Sequence, residues 1–179
     1  PLTRPANERR LSVSGLELFF DDHGEGPAVL LAHGMWCEAG MFARLAADLA
    51  RDHRVLVPDL RGHGRSSVPD KQWQIADLSD DLVKLLDQLH VQRVALLGFS
   101  MGGMAAVDFA LRHPDRLEAL ALVGTSAGAE ELVRAAEIRT LARVIQLTGP
   151  PPFLAREAAR ATFSSAFRKA DPAAVTRWE

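Results

Sequence analysis

Several of the usual class markers are scarce in this sequence. Its one cysteine, Cys37, excludes an internal disulfide framework and a cysteine-based zinc site, and a buried, inert thiol is the expected state of that residue. Charge of either sign is not in excess: 21 Lys+Arg stand against 23 Asp+Glu, for a formal net charge of −2. No basic field therefore argues for nucleic acid or an anionic membrane as partner. No apolar run approaches the roughly 18 residues of a membrane span, and PLTRPANERR at the start leads into no apolar signal-peptide core. Walker-type loops, dinucleotide fingerprints and metal-ligand clusters are missing too, so no cofactor is expected. Gly98-x-x-x-Gly102-Gly103 does follow a strand, but it lacks the G-x-G-x-x-G spacing. What remains, at 47% hydrophobic and 25% charged residues over 179 positions, is ordinary globular composition with length for a sizeable core. The expectation is a soluble, cytoplasmic domain.

Four short apolar runs, Ala28–Ala32, Arg54–Val57, Val94–Leu97 and Leu120–Val123, show no polar alternation. That suits strands buried on both faces of a parallel sheet. Segments with helical spacing separate them. One carries Phe42, Leu45, Ala46 and Leu49, and the next runs from Ile75 through Leu78, Leu82, Leu85 and Leu86 to Leu89. A third starts near Met101 and stops at His113-Pro114, where proline disfavours further helix. The order predicts an α/β fold with a mostly parallel, doubly wound sheet. Ahead of it, Leu11–Asp22 reads as an antiparallel hairpin turning at Ser14-Gly15, with Phe19-Phe20 packing on the sheet edge. Beyond it, Glu130–Leu147 and Leu154–Phe167 read as helices, and Asp171-Pro172 as the N-cap and first residue of another.

Chemistry concentrates at the C-terminal ends of the predicted strands. Gly98-Phe99-Ser100-Met101-Gly102-Gly103 joins a strand directly to a helix. Such a turn holds the serine in strained backbone geometry with its hydroxyl above the sheet. The flanking glycines allow strand and helix to approach without β-carbons. The alternative is a glycine-rich turn that merely packs helix on strand. After the first parallel strand comes His33-Gly34-Met35-Trp36. Acyl transfer develops a negative oxygen that needs two positioned donors, which the backbone N–H groups of Met35 and Met101 can supply. His33 and Gly34 then shape the loop, while Trp36 and Phe99 are candidate pocket residues. Pro58–Ser66 holds Asp59, His63 and Arg65, a tempting catalytic cluster. The reading preferred here is a tight loop fixed by internal hydrogen bonds.

These three motifs on successive strands resemble the α/β-hydrolase superfamily from roughly Leu11 to Gly128, particularly bacterial esterases, enol-lactonases and cofactor-free haloperoxidases. The resemblance implies that Ser100 is the nucleophile and that Met35 and Met101 donate to the oxyanion. It argues against haloalkane dehalogenases and epoxide hydrolases, which carry aspartate at that position. It also implies a small acyl substrate: an ester, lactone or thioester. Two alternatives stay open, a cofactor-free perhydrolase using the same serine and a non-catalytic module of the same fold. Members place the triad acid and histidine after further strands. Here the one histidine after Ser100 is His113, at the far end of the following helix and roughly 20 Å away at about 1.5 Å per residue. Glu130 and Glu131 stand where some relatives carry the acid, but read better as solvated residues opening a helix. His63 is the one earlier histidine with a route to Ser100. The expectation is a core over 1–128 truncated after its sixth strand, and part of a helical cap over 129–179. Such a chain would be inactive alone, and its unfinished sheet edge would favour self-association or completion by another chain.

Overall fold

The computed structural model describes residues 7–126 and 165–173. By contact the chain divides into two compact units, Pro1–Ala127 and Gly128–Glu179. The first unit opens with β1 (Asn7–Val13) and β2 (Leu16–His23), an antiparallel hairpin turning at Ser14-Gly15, both at positive φ. Then β3 (Ala28–Ala32), α1 (Ala43–Leu49), β4 (Arg54–Pro58), α2 (Ile75–Gln88), β5 (Val94–Phe99), α3 (Met101–Arg112) and β6 (Leu117–Val123) alternate strand with helix. In the second unit the described helix is α4 (Ser165–Ala170), and Pro172 reopens helix after Asp171. The segment Glu130–Leu147, including Glu130 and Glu131, and most of Leu154–Phe167 lie outside the described residues.

The six strands form one sheet in the order β1-β2-β4-β3-β5-β6, antiparallel as far as β4 and parallel from β4 to β6. Both faces of the central strands are apolar, so successive residues enter different cores. Leu30, Leu56 and Leu96 pack under α2 and α3 with Leu78, Leu82, Leu85, Leu86 and Phe109. Val29, Leu31, Val55 and Val57 pack on the opposite face with Phe42 and Ala46. At the start of α2, the Asp77 carboxylate accepts the Gln74 N–H (2.7 Å), satisfying one of the helix's free donors.

Two expectations change. Phe19 and Phe20 are not at the sheet edge, because β1 is the edge strand and β2 lies inside it. Phe20 is fully buried in the larger core, while Phe19 is half-buried beneath the guanidinium groups of Arg10 and Arg65. Nor is Leu120–Val123 buried on both faces: Leu120, Leu122 and Val123 are 39%, 44% and 47% exposed. The sheet order explains this, since β6 ends it and has β5 alone beside it among the described residues.

The same order positions the site. From β3 the chain moves to one side to form β4, then crosses to β5 on the other side of β3. The direction of winding therefore reverses between β3 and β5, and their carboxyl ends open a crevice there. Ala32 pairs with Gly98, which sets His33-Gly34 beside Phe99-Ser100.

Candidate active site

Ser100 follows β5 directly and precedes α3, at φ 50° and ψ −116°. A non-glycine residue there is strained, by about 1–3 kcal/mol, and surrounding bonds must hold it. The Ser100 N–H donates to the Val123 carbonyl (3.0 Å), and the Ser100 carbonyl accepts both the Met104 N–H (3.1 Å) and the Thr125 hydroxyl (2.7 Å). Strand and helix close tightly around it. A methyl group on Gly98 would lie 2.5 Å from the Gly102 carbonyl oxygen, and one on Gly102 would lie 2.5 Å from that of His33. One on Gly103 would meet Thr125 Cβ at 2.6 Å. Met101, the first residue of α3, is buried, and its N–H lies in the first turn, where helix N–H groups have no intrahelical acceptor.

The loop after β3 comes to the same place. A methyl group at Gly34 would stand 2.9 Å from the ring of Phe99 and 3.1 Å from Ser100 Cβ, so only glycine admits this approach. Gly34 to Cys37 forms a turn, with the Cys37 N–H on the Gly34 carbonyl (3.2 Å) and Trp36 at φ 61°. Met35 and Trp36 are 48% and 58% exposed. Phe99 is half-buried against the core beneath α1. Cys37 is half-buried, and burial pushes its thiol pKa up, against a hydrogen bond from the Gly34 backbone that lowers it.

His33 is fully buried and its ring is committed on both sides. Nδ1 donates to the Gly34 carbonyl (2.8 Å), and Nε2 accepts the Leu60 N–H (3.0 Å). Those partners fix the neutral tautomer with the proton on Nδ1. Burial pushes its pKa down to about 4; the Gly34 hydrogen bond opposes this, and neighbouring His63 adds to it.

The loop after β4 is tied within itself and to its surroundings. Ser66 donates through its hydroxyl to the Asp59 carbonyl (2.6 Å), and the Gly62 N–H donates to the Ser67 carbonyl (2.9 Å). The fully buried Asp59 carboxylate accepts the Arg65 N–H (3.1 Å), Arg65 Nε (2.7 Å) and, outside the loop, the Ala39 N–H (2.6 Å). His63 Nδ1 lies 2.9 Å from the Arg61 carbonyl, and its ring meets that of His33 edge-on at 5.3 Å between centroids. Every polar side chain of the tempting cluster is thus engaged: Asp59 and His63 on backbone groups, and Arg65 on the Asp59 carboxylate.

The other histidines stand where the parallel strands begin. His23 pairs with Val55 near the start of β4, His53 precedes β4, and His90 follows α2 shortly before β5. His113 caps the far end of α3, its ring against Phe109. Among the described residues, no group of three or more His, Cys, Asp or Glu side chains could hold a metal ion. No described helix is long and apolar enough to cross a membrane.

Three supports escaped sequence reasoning. The Thr125 hydroxyl on the Ser100 carbonyl has no sequence signature. Neither has the Asp59 bond to a backbone N–H. The buried pair of Arg61 with Asp81 (Nε to Oδ2 2.6 Å, Nη2 to Oδ1 2.7 Å) did leave a trace. Asp81 shares the apolar face of α2 with Leu78, Leu82 and Leu85, where a charge needs a buried partner.

A family model described as alpha/beta hydrolase fold matches residues 27–170. The pimeloyl-[acyl-carrier protein] methyl ester esterase of Chromobacterium violaceum is 40% identical over 111 residues, covering 62% of this chain and 42% of that protein. A thermophilic esterase from Thermogutta terrifontis superposes with a TM-score of 0.88 at 31% identity, over 96% of this chain and 64% of its own. The enol-lactonase of Burkholderia xenovorans LB400 gives 0.82 at 31% identity, over 95% and 65%. The chain spans about a third (33%) of the length of the first curated relatives it matches.

Proposed function

The chain belongs to the alpha/beta hydrolase fold family, and on that premise we propose that it carries the nucleophile and oxyanion hole of a serine hydrolase acting on a small ester, lactone or thioester. Ser100 Oγ attacks the acyl carbonyl. The N–H groups of Met35 and Met101 receive the negative oxygen of the tetrahedral intermediate, and its collapse expels the alcohol or thiol. Water then hydrolyses the Ser100 acyl-enzyme. The observation that carries the reading is Ser100 at φ 50°, ψ −116° in the crevice between β3 and β5. Strain held there by three hydrogen bonds to the Ser100 backbone supports a functional role for the serine. The esterase and enol-lactonase relatives support an acyl substrate, and the exposed Met35 and Trp36 beside the serine favour an apolar one.

A serine hydroxyl needs a base: His33 is locked as a neutral ring, His63 is held at Nδ1 against the Arg61 carbonyl in the loop after β4, and His23, His53, His90 and His113 stand away from the serine end of the sheet. The proposal therefore includes inactivity of these 179 residues alone. With p-nitrophenyl acetate they are expected to release nitrophenolate no faster than buffer. A longer gene product that includes a histidine beyond Glu179 is expected to release it rapidly, and to lose that activity in Ser100→Ala. Ser100-dependent turnover by the 179-residue chain itself would overturn the account of the missing base.

A further inference from the structure

The loop carrying Met35 has two ends, and both are tied to the loop after β4. At the near end His33 Nε2 accepts the Leu60 N–H (3.0 Å), and at the far end the Ala39 N–H donates to Asp59 Oδ1 (2.6 Å). Asp59 and Leu60 are adjacent, so one short piece of backbone spans the base of the whole 33–39 loop. That piece is itself immobilised. The Asp59 N–H donates to the Phe19 carbonyl (2.9 Å), Ser66 Oγ bridges the Asp59 carbonyl and the Phe19 N–H (2.6 and 2.9 Å), and Arg65 grips Asp59 Oδ2. A methyl group at Gly64 would collide with the Asp59 carboxylate, so that loop turns as closely as it can.

We propose that Asp59 is a positioning residue for the oxyanion hole: by accepting the Ala39 N–H, its carboxylate fixes the far end of the 33–39 loop and so the placement of the Met35 N–H. The proposal rests on the reading of Met35 as an oxyanion donor. Core packing of Ala39 and Phe42 seats the far end of the loop, and the Asp59 bond sets its final position, where a fraction of an ångström matters because donors must meet the oxyanion at about 2.7–3.1 Å to act. Arg65 tensions the same carboxylate from Oδ2, and it also reaches Asp21 (3.2 Å) and Glu8 (3.0 Å) on the hairpin. Nothing in that ion-pair network touches Ser100, so the carboxylate acts on the chemistry through loop geometry alone.

Three variants isolate the bond: Arg65→Met, and Arg65→Met combined with Asp59→Asn or with Asp59→Ala. All three lack the guanidinium on Oδ2. The asparagine keeps an acceptor oxygen for the Ala39 N–H and the alanine does not. In the 179-residue chain, amide hydrogen exchange at Ala39 is expected to speed up about 10-fold in the alanine variant, the size of one hydrogen bond's net contribution. It is expected to stay within about 3-fold in the asparagine variant, with α2 amides as the internal reference. In an active longer gene product, the alanine variant is expected to lose roughly 30-fold in kcat with KM nearly unchanged, and the asparagine variant to recover most of it. Unchanged Ala39 exchange in the alanine variant, equal exchange in the asparagine and alanine variants, or an intact kcat beside fast exchange would each overturn the proposal. If alanine prevents folding, the asparagine variant against Arg65→Met still decides: a large loss of kcat or of Ala39 protection with the acceptor retained contradicts it. Turnover surviving Ser100→Ala would instead refute the nucleophile assignment, and exchange would still report on the anchoring.

Discussion

Acidification offers a sharp test of the His33 anchor. The ring has 0% exposure and holds its partners only when neutral. A proton on Nε2 would set N–H against the Leu60 N–H. In the unfolded chain its pKa returns to 6.5, against about 4 in the folded one. Between those values the unfolded state binds more protons, so stability is fully present above the unfolded pKa and is lost as the pH falls. The interval implies a loss of about 2 kcal/mol between pH 7.5 and pH 5, rising to about 3 kcal/mol below pH 4. Asp59 and His63 are the titratable groups beside the ring, and both are unchanged in His33→Gln, which keeps an acceptor near the Nε2 position but does not titrate. Urea unfolding of both proteins at pH 7.5 and 5 should show the natural chain losing about 2 kcal/mol more than the variant. At a typical urea dependence that is a midpoint difference of about 1 M. Parallel profiles, or a His33 ring titrating near 6.5 by NMR, would refute the reasoning.

Other outcomes follow from the same contacts. Asp81→Ala leaves the buried Arg61 guanidinium only the longer contact to Asp77 (3.8 Å) and is expected to cost about 3 kcal/mol in urea unfolding, while Arg61→Met with Asp81→Leu recovers most of it. Gly102→Ala drives a methyl group into the His33 carbonyl and is expected to destabilise by more than about 2 kcal/mol. Gly40→Ala, which meets only the flexible end of Glu38 at 3.3 Å, is expected to change stability by less than about 0.5 kcal/mol. Thr125→Val removes the hydroxyl from the Ser100 carbonyl and is expected to cost about 1 kcal/mol in the same assay, with Thr125→Ser near the natural value.

How much was legible from sequence depended on whether the signal lay in side-chain type or in spatial order. Apolar runs marked the central strands because both faces of β3 and β4 are buried. The same signal misjudged Leu120–Val123, since composition does not distinguish a strand at the end of the sheet order from a central one. Phe19-Phe20 was misplaced for the complementary reason: the hairpin's first strand, not its second, takes the edge. Gly98, Ser100 and Gly102 were readable because a sharp strand-to-helix turn excludes β-carbons at fixed spacing. The bond from Ala39 to Asp59 was not, because its donor is backbone and carries no residue signature. Asp81 was readable in principle as a charge on an apolar helix face, but its partner in a loop could come only from the fold.

The central claim is that Ser100 forms the acyl-enzyme. Its most direct test is rapid-quench mass spectrometry of an active longer gene product mixed with p-nitrophenyl butyrate. The account predicts a butyryl adduct on the peptide containing Ser100, formed before steady-state turnover and abolished together with it in Ser100→Ala. An adduct on another residue, or turnover that survives Ser100→Ala, would contradict it.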